Sequence, residues 1–115
     1  MFEKDLRFIM LFDIYGELLT DTQKTMFDLY YNDDLSLSEI AENTGITRQG
    51  VRDSVKRSEE TLLSLEEKLG LAEKLTQIQN ASSEAEKIIR QLKEKHPEDV
   101  RDFDKVSALL SAVKL

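Results

Sequence analysis

Cysteine is absent from the chain, which excludes disulfides, thiolate chemistry and cysteine-based zinc sites. Histidine occurs once, at His96, so one chain cannot build a multi-histidine metal site. Proline occurs once and glycine four times among many Leu, Glu, Lys, Ile and Ala, a composition that favours helices throughout. No run of alternating β-branched and aromatic residues marks a strand. No stretch approaches the ~20 apolar residues of a membrane-spanning helix. The opening Met-Phe-Glu-Lys-Asp-Leu-Arg-Phe carries early acidic groups and lacks a small-residue cleavage site, unlike a secretory signal. A soluble cytoplasmic protein is the expectation. There is no Ser/His/Asp or Cys/His arrangement and no phosphate-cradling glycine loop, so neither an enzyme nor a cofactor is expected.

Acidic residues outnumber basic ones, 23 Asp and Glu against 16 Lys and Arg, and a net positive balance occurs in one place. The net charge of the chain is −7. Residues 1–35 carry −5 and residues 59–115 carry −3, whereas residues 36–58 carry +1. Within 47–58, Arg48, Arg52, Lys56 and Arg57 stand against Asp53 alone. An acidic protein binds polyanions poorly as a whole, because neutralising phosphates supplies most non-specific affinity. Any nucleic-acid contact must therefore be local and sensitive to salt.

That basic stretch lies in a run of helix signals. A first helix is expected over 3–18, with Leu6, Ile9, Met10, Ile14 and Leu18 near one face and Phe12 and Tyr15 widening it. Thr20-Asp-Thr-Gln23 has the form of a capping box opening a second helix to about Tyr31, with Met26, Phe27, Leu29 and Tyr30 available to the core. Asn32-Asp33-Asp34 breaks it; this stretch lacks the spacing of a calcium loop. Ser36-Leu-Ser-Glu39 is a second capping box, and Leu37, Ile40, Ala41 and Thr44 follow at the spacing of one buried face. Gly45 suits a left-handed helix end, Ile46 an apolar plug, and Thr47 the N-cap of the next helix. In that helix Val51, Val55, Ser58, Leu62, Leu65 and Leu69 form a continuous seam.

Beyond Leu69, Gly70 ends or kinks the helix, and Leu71, Leu75 and Ile78 resume an apolar stripe. Asn80-Ala-Ser-Ser83 reads as a linker, and Ser83-x-x-Glu86 as the cap of a helix bearing Ile88, Ile89 and Leu92. His96 beside Pro97 reads as a helix end. Pro97 opens a last helix with Val100, Phe103, Val106, Leu110 and Val113. These stripes can fold back on the N-terminal helices, pair with a second subunit or bind another protein.

The small Ala41, Gly45 four residues later, the apolar Ile46 and the inward Val51 and Val55 are the parts of a helix-turn-helix. Its second helix places Arg48, Gln49, Arg52, Asp53 and Lys56 opposite the seam. Arg suits bidentate contact with guanine, Gln with adenine, and Lys or Arg with phosphate. Thr47 at the helix start is suited to donate to a phosphate beside backbone N–H groups. Asp53 opposes a duplex unless it accepts from cytosine or pairs with Arg57 at i+4. Tyr30-Tyr31, just inside a helix end, reads as core rather than as a base-stacking platform.

Leu11-Phe-Asp-Ile-Tyr-Gly16, Leu29-Tyr-Tyr31-Asn-Asp-Asp34, Ser36-Leu-Ser-Glu-Ile-Ala-Glu42, Thr47-Arg-Gln49, Lys56-Arg-Ser-Glu59 and Lys68-Leu-Gly70 together resemble the YlxM family of small bacterial proteins over roughly residues 1–70. Members of that family resemble region 4 of sigma factors. The resemblance implies an all-α fold: a helix-turn-helix bundle of three or four helices over 1–70, and a C-terminal helical tail over 71–115. It also implies a role tied to the signal recognition particle pathway, through expression of its genes. This chain departs from the family pattern at Gly50, where Ala is usual, and at Arg52, where an aromatic is usual. Gly within a helix costs ~1 kcal/mol relative to Ala, which softens the start of the recognition helix.

Two functions stay open on these grounds. One is a DNA-binding regulator, a homodimer through its C-terminal helices. There Arg48, Gln49, Arg52 and Lys56 read double-stranded DNA, and Thr47 and Arg57 hold phosphates. The other is an interaction module of the protein-targeting machinery that keeps the scaffold without the DNA.

Overall fold

The computed structural model describes residues 4–113, all helices and connecting turns, with no strand among the described residues. Six α-helices follow one another: α1 (Arg7–Tyr15), α2 (Asp21–Tyr31), α3 (Leu37–Thr44), α4 (Arg48–Leu69), α5 (Leu71–Lys95) and α6 (Val100–Ser111). Short 3₁₀ turns, Gly16–Leu18 and Pro97–Asp99, follow α1 and precede α6. The chain forms two compact units, one reaching to Ala72 and one starting at Glu73. No described helix is long and apolar enough to cross a membrane.

In the first unit α4 is the spine, and α1, α2 and α3 all pack on it. Its seam explains why: Val51, Val55, Ser58 and Leu62 are fully buried, at i, i+4, i+7 and i+11. Leu65 packs at the edge of the core, but Leu69 is exposed, so the seam ends one turn earlier than its sequence spacing suggests. The buried Ser58 hydroxyl donates to the Ser54 carbonyl. Phe27 on α2 has no exposed surface and lies between two rings, Phe12 at 4.5 Å and Tyr31 at 4.4 Å.

The inward face of α1 overlaps the expected one, since Tyr15 is buried and Ile9, Phe12 and Ile14 pack against the core, but it is shifted. Leu6 and Leu18 are exposed and Met10 partly so, while Phe8, Leu11, Tyr15 and Leu19 are buried. The helix is apolar nearly all round, so periodicity alone offers two faces. The core takes the side that adds Phe8 and Leu11 to Tyr15, which brings more aromatic area inward than Leu6 and Met10 would. The helix also stops at Tyr15 and passes into the 3₁₀ turn, which brings Leu19 inward in place of Leu18. Residue 3, where the helix was expected to start, lies outside the described residues.

The α2–α3 corner is held by charge. Asp34 adopts a left-handed backbone with φ 56° and pairs with Lys4 at 2.6 Å, and the Lys4 ammonium also sits 4.4 Å from the centre of the Tyr30 ring. The α4–α5 corner is held by a clasp that no sequence motif announces. Gly70 turns left-handed at φ 62° and offers no side chain to cap α5. The Glu66 carboxylate supplies that cap, accepting from the Ala72 N–H at 2.9 Å. The Tyr15 hydroxyl donates to the same Glu66 oxygen at 2.7 Å and accepts from the Leu71 N–H at 3.1 Å.

All three tyrosines are held in their neutral form. Burial pushes each hydroxyl up from its ordinary value, and neighbouring carboxylates add to it: Glu66 at Tyr15, Glu59 and Asp34 at Tyr30, Glu59 at Tyr31. Tyr31 donates to Glu59, whose own carboxyl is raised by burial. In the unfolded chain tyrosine ionises near pH ~10. The folded state then keeps protons that the unfolded state releases, so the tyrosine contribution, complete below that pH, is lost progressively as pH rises above it towards the raised folded-state values. Denaturant midpoints should hold between pH 8 and pH 9 and fall from about pH 10 upward, and Tyr31→Phe should flatten that fall. Midpoints that do not change over this range would contradict the assignment.

In the second unit, the Ser82 hydroxyl donates to the Leu110 carbonyl at 3.3 Å, and Lys93 pairs with Asp104. Asn80-Ala-Ser-Ser83 is not a linker. It lies inside α5, and Ser83 caps nothing. The stretch 71–95 contains no Gly or Pro to break a helix, and Leu75, Gln79, Ser82, Ala85, Ile89 and Leu92 keep one half-buried stripe running through it. His96 follows the last turn, its N–H bonded to the Leu92 carbonyl at 2.8 Å. Of the apolar stripe read in the last helix, Phe103 and Leu110 are half-buried, while Val100, Val106 and, beyond α6, Val113 are exposed, as are Leu109 and, on α5, Ile88.

Candidate nucleic-acid interface

The helix-turn-helix is assembled from local bonds that the sequence specifies one by one. At the start of α3, the Ser36 hydroxyl accepts from the Glu39 N–H at 3.1 Å, and the Glu39 carboxylate accepts from the Ser36 N–H at 3.0 Å. Those bonds hold the Glu39 carboxyl below its ordinary value. Leu37 and Ile40 are buried beneath, with Ala41 packed at the edge. Gly45 closes α3 at φ 73°, its N–H reaching the Ala41 carbonyl at 3.0 Å. A Cβ there would meet nothing within 4 Å, so the requirement for glycine is its backbone angle and not space. Ile46 then packs against the core as the plug.

Thr47 caps α4, its hydroxyl accepting from the Gly50 N–H at 3.0 Å. The glycine at 50 fits this corner closely. A Cβ there would lie 2.9 Å from an Ile46 methyl and 3.0 Å from the Thr47 hydroxyl. The first turn of α4 is thus pinned by the plug and cap that Gly50 admits, which offsets the softness expected of a helical glycine.

Arg48, Gln49, Asp53, Lys56 and Arg57 are exposed, and Arg52 is half-buried. At roughly 100° per residue, Arg48 and Arg52 line one edge of the outward face, Gln49, Asp53 and Lys56 its middle, and Arg57 the opposite edge. Arg57 is therefore set apart from the other two arginines. It borders a shallow cleft with Gln23, Ser64 and Lys68. Asp53 does not pair with Arg57. It accepts from the Gln49 amide at 3.0 Å, one turn back. An i, i+4 Gln–Asp pair is as available to sequence reasoning as the Asp–Arg pair expected there. Tyr30 and Tyr31 are both buried, so neither offers a face to bases. The arrangement presents cations, an amide hydrogen-bonded to a carboxylate, and that carboxylate on the first three turns of a capped helix, where a groove-reading helix carries its contacts.

Comparison with known proteins agrees with this scaffold. Residues 2–107 match the model of the UPF0122 family, described as "Putative helix-turn-helix protein, YlxM / p13 like". A UPF0122 protein of Listeria welshimeri is 50% identical over 86 residues, 75% of this chain and 78% of its own length. A UPF0122 protein of Thermoanaerobacter sp. (strain X514) is 40% identical over 109 residues, 92% of each chain. One from Thermoanaerobacter pseudethanolicus is 43% identical over 101 residues, 85% of this chain and 86% of its own.

Proposed function

The chain belongs to the UPF0122 family of YlxM/p13-like helix-turn-helix proteins, and from that premise we propose that it is a cytoplasmic DNA-binding regulator. The observation that carries this reading is the concentration of Arg48, Arg52, Lys56 and Arg57 on the outward face of α4, in a chain of net charge −7. Arg48, Gln49, Arg52 and Lys56 read base edges in the major groove, and Thr47 and Arg57 hold flanking phosphates. The genes it acts on include those of the signal recognition particle pathway, to which the family resemblance points.

It works as a homodimer through the C-terminal helices. The exposed Ile88, Val100, Val106 and Leu109 support this arm of the proposal, since a second copy would cover them. A dimer of helix-turn-helix units reads two half-sites about one DNA turn (~34 Å) apart. One experiment addresses both arms: selection of bound fragments from genomic DNA at low and moderate salt. The expected outcome is enrichment of an inverted repeat with that spacing, in complexes that weaken steeply as salt rises. Enrichment of single half-sites would overturn the dimer. Failure to enrich any sequence at either salt would overturn the regulator and leave the protein-interaction module as the reading.

A further inference from the structure

The hydrogen bond between Gln49 and Asp53 decides more than the fate of a stray negative charge. The two side chains lie one turn apart in the middle of the outward face of α4, both exposed, with the Gln49 amide nitrogen donating to Asp53 Oδ1 at 3.0 Å. The first turn beneath them is capped by Thr47 and packed by the Ile46 plug.

A carboxylate can only accept hydrogen bonds, so the end of the amide that faces Asp53 must be the NH₂ group. The Gln49 carbonyl oxygen is thereby turned away from Asp53. The second N–H remains available beside it. What the helix presents is thus one acceptor and one donor in a fixed order.

An unconstrained glutamine has no fixed order. It rotates about its last bond and can show either its oxygen or its NH₂ to a base edge. In the major groove adenine presents the N6 donor and the N7 acceptor, while guanine presents two acceptors, O6 and N7. A locked amide with its oxygen in the reading position complements adenine and sets oxygen against oxygen at guanine. A rotating amide can turn its NH₂ to guanine and accommodate both.

We propose that Asp53 is a positioning residue that holds the Gln49 amide in the orientation that reads adenine and rejects guanine. The proposal rests on the DNA-binding reading above and deepens it. It also gives Asp53 a reason to stand on a face made to meet phosphates. Its charge weakens attraction to any duplex, and in exchange the amide keeps one orientation. Removing the carboxylate should therefore move affinity and discrimination in opposite directions, a pattern that a merely solvated Gln–Asp pair does not produce.

The test uses the full chain and duplexes in which each position of the selected site is varied in turn. Wild-type protein should prefer adenine to guanine at one position of each half-site by about tenfold or more, the scale of one bidentate contact. Gln49→Ala should abolish that preference. Asp53→Ala should lower it to about twofold at the same position, while binding to unrelated DNA tightens. Asp53→Asn, whose amide oxygen still accepts from Gln49, should keep part of the preference and show the same tightening. Both residues are exposed, so thermal unfolding should not change and serves as the folding control.

An Asp53→Ala protein that keeps the full adenine preference overturns the proposal. So does one that loses discrimination at a different base pair, at cytosine for example, because Asp53 then reads a base itself. A wild-type chain that binds no duplex overturns the DNA-binding reading together with this one. Binding with normal specificity in Asp53→Ala overturns this one alone.

Discussion

Phe27→Ala is expected to lower the unfolding free energy by about 4 kcal/mol, measured by chemical denaturation. Phe27 is wholly buried, and its ring lies between Phe12 and Tyr31 at 4.5 and 4.4 Å. Truncation removes the transfer free energy of the ring, leaves a cavity beside α4 and breaks two aromatic contacts, each worth about 0.5–1.5 kcal/mol beyond burial. Small domains hold only about 5–15 kcal/mol in total, so the variant should unfold at markedly lower denaturant. Phe27→Leu, which keeps much of the volume, should lose about half as much. Leu6→Ala and Leu18→Ala should each stay within about 0.5 kcal/mol, because these leucines are 71% and 64% exposed. A large loss at Leu6 or Leu18 with a small one at Phe27 would mean that α1 and α2 pack by other faces.

The second large effect concerns binding. The triple variant Arg48→Ala, Arg52→Ala, Lys56→Ala is expected to lose about a hundredfold or more in DNA affinity at moderate salt, measured by titration of the selected site. Two terms combine. Losing a bidentate base contact costs about 1–3 kcal/mol. Removing three positive charges beside the duplex also weakens its general attraction, which flattens the dependence of affinity on salt. A matching loss at unrelated sequences would assign all three side chains to phosphates. An affinity within threefold of wild type would remove α4 as the contact surface. Because Arg52 is half-buried, the unfolding curve of the variant must be checked alongside.

The strength of the local grammar explains how much of this interface could be read in advance. The capping boxes at Thr20 and Ser36, the left-handed Gly45 and the Thr47 cap each involve residues within four positions of one another, and all form as their spacing predicts. The Val51–Leu62 seam is legible for the same reason, since helical geometry alone places those residues on one line. The Gln49–Asp53 pair was within reach of the same rule. Its competitor, Asp53–Arg57, has identical spacing, and only the positions of the side chains separate the two.

Other features were not legible because their partners are distant or because the local signal was neutral. The choice of the Phe8–Tyr15 face of α1 depends on what α2 and α4 offer it. Asn80 to Ser83 look like a linker by composition, yet the unbroken stripe on either side carries the helix through them. The clasp of Tyr15, Glu66, Leu71 and Ala72 joins residues more than fifty positions apart. By itself, then, the sequence determined where α2, α3 and α4 begin and end, which helix carries the net positive charge, and which of its faces turns inward. Those properties follow from bonds and periodicities no longer than a few turns. Tertiary structure alone decided which of two apolar faces α1 buries, how the α4–α5 corner is capped, and how the side chains of the outward face are paired. Each of these is a competition between locally equivalent options, settled only by the atoms packed alongside.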